Sequence, residues 1–134
     1  MNKKGFSLVE LLSVIVIIAL VGGIAMISYS SYINKSRERI YKTYEDTMKS
    51  TVEMYLIDNM NLLPEIGNSS KIMLSTLLSQ NEIEQIKNPI DSTDLCQEKS
   101  YVEITRSEDT TNNLNLNYKV CLICKNYQTS ICTE

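Results

Sequence analysis

The chain has 134 residues, 43% of them hydrophobic, with 13 basic and 16 acidic residues and no histidine. A net charge of −3 supplies no basic surplus for gripping nucleic-acid phosphates, and without histidine there are no His-based triads or His metal sites. Four glycines, two of them inside an apolar run, leave no Gly-rich phosphate loop.

The chain opens MNKKGFSLVELLSVIVIIALVGGIAMISYSSYIN, and residues 11–34 contain no Lys, Arg, Asp or Glu. At about 1.5 Å rise per residue, a helix of that length spans roughly 36 Å, enough for a hydrocarbon core of about 30 Å. The core helix of a small soluble domain seldom stays apolar all round for so long, so the run predicts a membrane span. Lys3 and Lys4 place its N-terminal end on the cytoplasmic side and the rest of the chain outside. A cleaved secretory signal would need an apolar region of roughly 7–15 residues followed by a small-residue site. Nothing like A-x-A follows before Tyr29, and the segment is expected to stay on the mature protein. Glu10 stands alone at the edge of the run, with no partner among Leu8, Val9, Leu11 and Leu12. An ionisable residue in such a place marks function.

The stretch KKGFSLVELL, with its basic leader, Gly5, Phe6 and Glu10 ahead of an apolar helix, resembles the N-terminus of type IV prepilins, the pseudopilins of secretion and DNA-uptake machines included. The resemblance implies cleavage between Gly5 and Phe6 by a membrane-embedded prepilin peptidase, N-methylation of the new Phe6 amine, and an assembly role for Glu10. An α-amine, with an ordinary pKa of roughly 8, is cationic near neutral pH. In a bundle of staggered parallel helices it can satisfy a neighbour's Glu10 and fix register. The bland alternative is a carboxylate at a helix N-terminus that snorkels to the interface. Many members of that family carry a proline within the apolar helix, whereas this chain has none before Pro64. Gly22 and Gly23 either supply the soft point, at roughly 1 kcal/mol each relative to Ala, or let neighbouring helices approach closely.

Beyond residue 34 the pattern turns amphipathic. Ile33, Ile40, Tyr44, Met48 and Tyr55 recur at helical spacing, with Val52 and Leu56 beside them. Glu38 with Lys42, Glu45 with Lys49, and Lys49 with Glu53 are each four apart and able to pair. One helix is predicted over about residues 7–59. Its tyrosines (Tyr29, Tyr32, Tyr41, Tyr44, Tyr55) read as interface or core packing residues rather than an electron-transfer chain. Lys35, Arg37, Arg39 and Lys42 form a basic cluster suited to a membrane-interface or intersubunit contact.

In the remainder, LLPEIGNSS reads as a turn and KIMLSTLLSQ as a short amphipathic helix with Ile72 or Met73, Leu77 and Leu78 buried. NEIEQIKNPID reads as a helical turn closed by Pro89. SYVEIT and NLNLNYKVCLIC alternate as strands around the polar loop RSEDTTNN, with Leu114, Leu116, Tyr118, Val120 and Leu122 sharing a face. Glu82 and Glu84, and Glu108 and Asp109, read as solvated surface. Asp91 and Asp94 in NPIDSTD read as local turn acceptors, with calcium the rival.

Cys96, Cys121, Cys124 and Cys132 lie beyond the span in a domain too small for a generous core, and predict two disulfides. Zinc would need a second knuckle besides the CxxC of Cys121 and Cys124. In regular strand those two face opposite ways and cannot pair with each other. Among the three connectivities, Cys96 with Cys121 and Cys124 with Cys132 is preferred.

The expected fold is α+β: a long N-terminal helix, membrane-spanning in its first half, packed against a small antiparallel sheet. The expected organisation is a leader at 1–5, a transmembrane or filament-core helix at 6–34, its amphipathic continuation at 35–59 and a disulfide-stabilised extracellular head at 60–134. What the resemblance implies is a non-enzymatic structural subunit of a type IV pilus-like filament. It would be a single-pass membrane precursor whose mature form lies in a cell-surface or envelope filament. Its partners would be copies of itself or related subunits, prepilin peptidase and a membrane assembly platform, with no cofactor, no metal and no direct nucleic-acid contact. The alternative is a monomeric single-span anchored extracellular binding domain that does not polymerise.

Overall fold

The computed structural model describes residues 5–107 and 115–132, those at 25–28 by backbone only. Lys3, Lys4, Leu114 and the part of RSEDTTNN from Glu108 onward, with Asp109, lie outside these residues. The element order is α1 (Leu8–Asp58), a 3-10 turn (Met60–Leu62), β1 (Ser69–Met73), α2 (Leu74–Ser79), β2 (Tyr101–Arg106), β3 (Leu116–Cys121), β4 (Ile123–Cys124) and β5 (Tyr127–Gln128). The architecture is α+β and pilin-like, with one long N-terminal helix and a small antiparallel sheet.

The chain divides into two compact units, Met1–Glu38 and Arg39–Glu134, and α1 contributes to both. In the first unit α1 continues through Gly22 and Gly23, where an added Cβ would meet nothing within 4 Å. Every described large apolar side chain from Phe6 to Ile24 is exposed. An 18-residue window of α1 has a mean hydropathy of 2.8, so the helix is long and apolar enough to cross a membrane.

In the second unit α1 buries Tyr41, Met48, Val52 and Leu56, a stripe at helical spacing. They join Ile72, Leu74, Leu77, Ile86, Val102, Ile104 and Leu122 in one core. The expected stripe is corrected at one place: Ile40 is exposed, and Tyr41 takes the core position. The reason is that both ends of Tyr41 find partners there, its ring on Tyr127 and its hydroxyl on Asn88. Of the expected ion pairs, Lys49–Glu53 closes to 3.9 Å. Glu45 is turned elsewhere: its Oε1 accepts the Tyr127 and Thr129 hydroxyls, each at 2.7 Å.

The sheet runs β1-β2-β3, antiparallel throughout. Ile72 pairs with Val102 and Val102 with Val120, while Ile104 pairs with Tyr118, so alternate positions put the apolar set on the core side. The other face aligns Lys71, Glu103 and Lys119 across the three strands, an order of opposite charges that favours this register.

The segment KIMLSTLLSQ is half strand and half helix rather than all helix. Ser69 to Met73 pair with β2, and α2 starts at Leu74 with no side-chain cap. Its first N–H groups are satisfied instead by carbonyls of a distant loop, Leu74 N–H on Ser100 O (2.7 Å) and Ser75 N–H on Glu98 O (3.1 Å). Ile72, Leu74 and Leu77 are buried, Leu78 is half-buried and Met73 is exposed.

Residues 81–91 form no helical turn, and α2 stops just before them. Asn81 takes a left-handed φ of 56°, while its N–H bonds Leu78 O (3.1 Å) and the Glu82 N–H bonds Leu77 O (2.9 Å). That is a Schellman ending, which turns the backbone out of helix.

The candidate assembly site at the N-terminus and the cysteine framework

Gly5, Phe6 and Ser7 precede the helix in non-helical backbone, and Glu10 lies in its first turn, exposed. The Ser7 N–H donates to Glu10 Oε2 and the Glu10 N–H donates to Ser7 Oγ, each at 3.3 Å. This reciprocal arrangement is a capping box, written in the sequence as SLVE. It corrects the expectation that Glu10 has no partner in its own chain. The Ser7 N–H contact is long for a hydrogen bond to a carboxylate, so it holds Glu10 at the helix start without saturating it. Ser13 Oγ donates to Val9 O (2.8 Å) and Glu10 O (3.0 Å), hiding a hydroxyl that an apolar environment would penalise. Gly5, Phe6 and Glu10 thus stand together at one helix end, next to an exposed apolar surface.

The cysteines pair differently from the preferred connectivity. The bonds are Cys96–Cys124 and Cys121–Cys132. The reason lies in where the last long strand ends. β3 stops at Cys121, the Leu122 N–H goes to Thr129 Oγ1 (3.2 Å), and Ile123 and Cys124 pair with Tyr127 and Gln128 around residues 125–126. This small hairpin returns the chain so that Cys132 meets Cys121. The Gln97 N–H bonds Ile123 O at 2.7 Å, which sets Cys96 alongside Cys124. Ser100, fully buried, ties the same region: its Oγ accepts the Ile123 N–H (3.0 Å) and donates to Gln97 O (2.6 Å). Nothing in the spacing of Ser100 announces that role.

Asp91 holds a turn, as expected, whereas the Asp94 carboxylate reaches across to Lys125 instead of accepting locally. Asp91 Oδ1 accepts the Thr93 hydroxyl (2.6 Å) and N–H (3.0 Å). The hydroxyl, then the N–H, holds the Asp91 carboxyl below its ordinary range. Asp94 pairs with Lys125 at 2.8 Å, and that bonded carboxylate raises the Lys125 ammonium above its usual value. Burial, then the charge of Glu53, pushes the Tyr118 phenol up. Among the described residues no group of three or more His, Cys, Asp or Glu is placed to hold a metal ion.

Residues 1–26 match the prokaryotic N-terminal methylation motif. No curated protein and no solved structure matches the chain. Within the matched stretch stand Lys3, Lys4, Gly5, Phe6, the capped Glu10 and the start of the exposed apolar helix, and these residues form a type IV prepilin-like class III signal segment.

Proposed function

We propose that this protein is a structural subunit of a type IV pilus-like filament. The precursor inserts as a single span with residues 39–134 outside, loses residues 1–5 to a prepilin peptidase, and is N-methylated on Phe6. It then polymerises through α1 at a membrane assembly platform. One coincidence supports this reading: the methylation motif at 1–26 opens a helix whose described large apolar side chains are all exposed from Leu8 to Ile24, where its one carboxylate is Glu10. A surface of that kind needs lipid or other copies of the helix around it.

In the polymer Glu10 accepts the Phe6 amine of a neighbouring copy, trading its long Ser7 contact for a charge-assisted bond. The capping box supports a second reading, in which Glu10 only starts the helix. Gln separates the two, because it fits a capping box but carries no charge. Glu10→Gln and Glu10→Leu are expected to insert and be cleaved normally. Incorporation into filaments should fall by at least about tenfold, since stranding one partner of a buried pair costs about 3–5 kcal/mol. Ser7→Ala weakens the cap by about 1 kcal/mol and should leave filament yield nearly unchanged. The measurement is precursor processing against sheared-filament yield, with intact mass establishing a methylated Phe6 start. Normal filaments from Glu10→Leu, or a mature chain that keeps Met1 to Gly5, would sink the reading.

A further inference from the structure

Two surface features carry opposite charge that the chain does not use internally. After the turn at Asn81, Glu82, Ile83, Glu84 and Gln85 join Leu78 and Glu98 around an open groove of about 610 Å³. Glu82, Glu84 and Glu98 are exposed, Leu78 and Ile83 are half-buried, and no cation lines this groove. The ion pairs among the described residues are Lys49–Glu53 and Lys125–Asp94, so these three carboxylates have none. On α1, Arg39 and Lys42 are exposed one helical turn apart, with Lys35 four residues before Arg39. They stand off the buried stripe of Tyr41, Met48, Val52 and Leu56 and have no carboxylate partner among the described residues.

We propose that the acidic groove of one copy receives the Arg39 and Lys42 face of a second copy. This rests on the polymer reading above and specifies which surfaces meet. The stems of Arg39 and Lys42 can cover Leu78 and Ile83 while their charged ends meet Glu82, Glu84 and Glu98, the division that long basic side chains make at an apolar floor with an acidic rim. The two patches are different parts of one chain, so the contact is heterologous. It leaves a free groove on one copy and a free basic face on the next, and it propagates instead of closing as a two-fold dimer would. Rim charges of this kind add little bare affinity. Their effect is on register and on the rate of incorporation, because misaligned copies place like charges together.

The test begins on wild-type filaments assembled from mixed isotopically light and heavy subunits. Zero-length carbodiimide coupling should join the Lys42 amine to a Glu82 or Glu84 carboxylate, and light-to-heavy linked peptides mark a bond between copies. Glu82→Lys with Glu84→Lys, or Arg39→Glu with Lys42→Glu, should each lower filament yield about tenfold at unchanged processing. All four changes together should restore most of it. Unchanged yield in both double variants, failure of the fourfold variant to recover, or links from Glu82 and Glu84 to a different protein would each overturn the proposal. Abundant wild-type filaments without the link would remove this contact and leave the polymer reading standing. A wild type found in no filament would remove both.

Discussion

Tyr41 occupies the core by using every part of its side chain. Its ring stacks on Tyr127 with centroids 4.0 Å apart and planes 5° from parallel, and its hydroxyl donates to Asn88 Oδ1 at 2.9 Å. The same Oδ1 accepts the Ile90 N–H at 3.0 Å, which bends the chain at Pro89. Tyr41→Phe keeps the stack and leaves Oδ1 its Ile90 donor, so the expected loss is about 1 kcal/mol. Tyr41→Ala also empties the site and should cost about 3–5 kcal/mol. Urea midpoints of the two variants measure the difference, and equal losses would mean that the hydroxyl, not the ring, carries the stabilisation. Residues of this kind are invisible in the sequence, because Tyr41 and Asn88 lie 47 positions apart and only the fold introduces them. Glu10 is the opposite case. Its place in the motif was legible in GFSLVE, while its cap, which lies within one helical turn as SLVE, was missed.

Elements were legible where their period was strong and local. The apolar helix, the 102 and 104 alternation and the last long strand all follow from spacing. The start of α2 does not, because distant carbonyls rather than a neighbouring Ser or Asp satisfy it. The hairpin of β4 and β5 is too short for a pattern, and missing it misassigns the cysteines. The bonds Cys96–Cys124 and Cys121–Cys132 close separations of 28 and 11 residues. By loop entropy they contribute about 3.6 and about 2.8 kcal/mol. Replacing Cys96 and Cys124 by Ser should therefore lower the melting temperature more than replacing Cys121 and Cys132. Trypsin leaves Cys121 and Cys124 on one peptide, VCLICK, so mapping needs a further cut at Leu122 or Ile123. Unreduced fragments linking Cys96 to Cys121 would contradict the structure.

For the molecule as a whole, the division into Met1–Glu38 and Arg39–Glu134 puts the exposed apolar stretch from Phe6 to Ile24 in one unit and the buried core in the other. The hydrophobic core begins at Tyr41, and both disulfides lie beyond it. A chain beginning at Arg39 should therefore fold in water with four oxidised cysteines and run as a single species on size exclusion. The full chain should need detergent, because its described large apolar side chains from Phe6 to Ile24 are all exposed. A precipitating or thiol-reactive short chain would show that residues before Arg39 are required for the core.

The two disulfides share the short stretch from Cys121 to Cys124, and that has a mechanical consequence. Tension applied along the backbone crosses from Cys96 to Cys124, returns to Cys121 and crosses again to Cys132, over Cα–Cα steps of 4.2 Å and 4.9 Å. That route is about 20 Å long, whereas the same residues fully extended reach about 125 Å at roughly 3.5 Å per residue. An oxidised chain pulled from α1 and its C-terminal end should unravel with about 100 Å less extension than a reduced one. Single-molecule force traces with and without reductant read that difference as hidden length. A chain wired in this way stays short under load even after its sheet has given way.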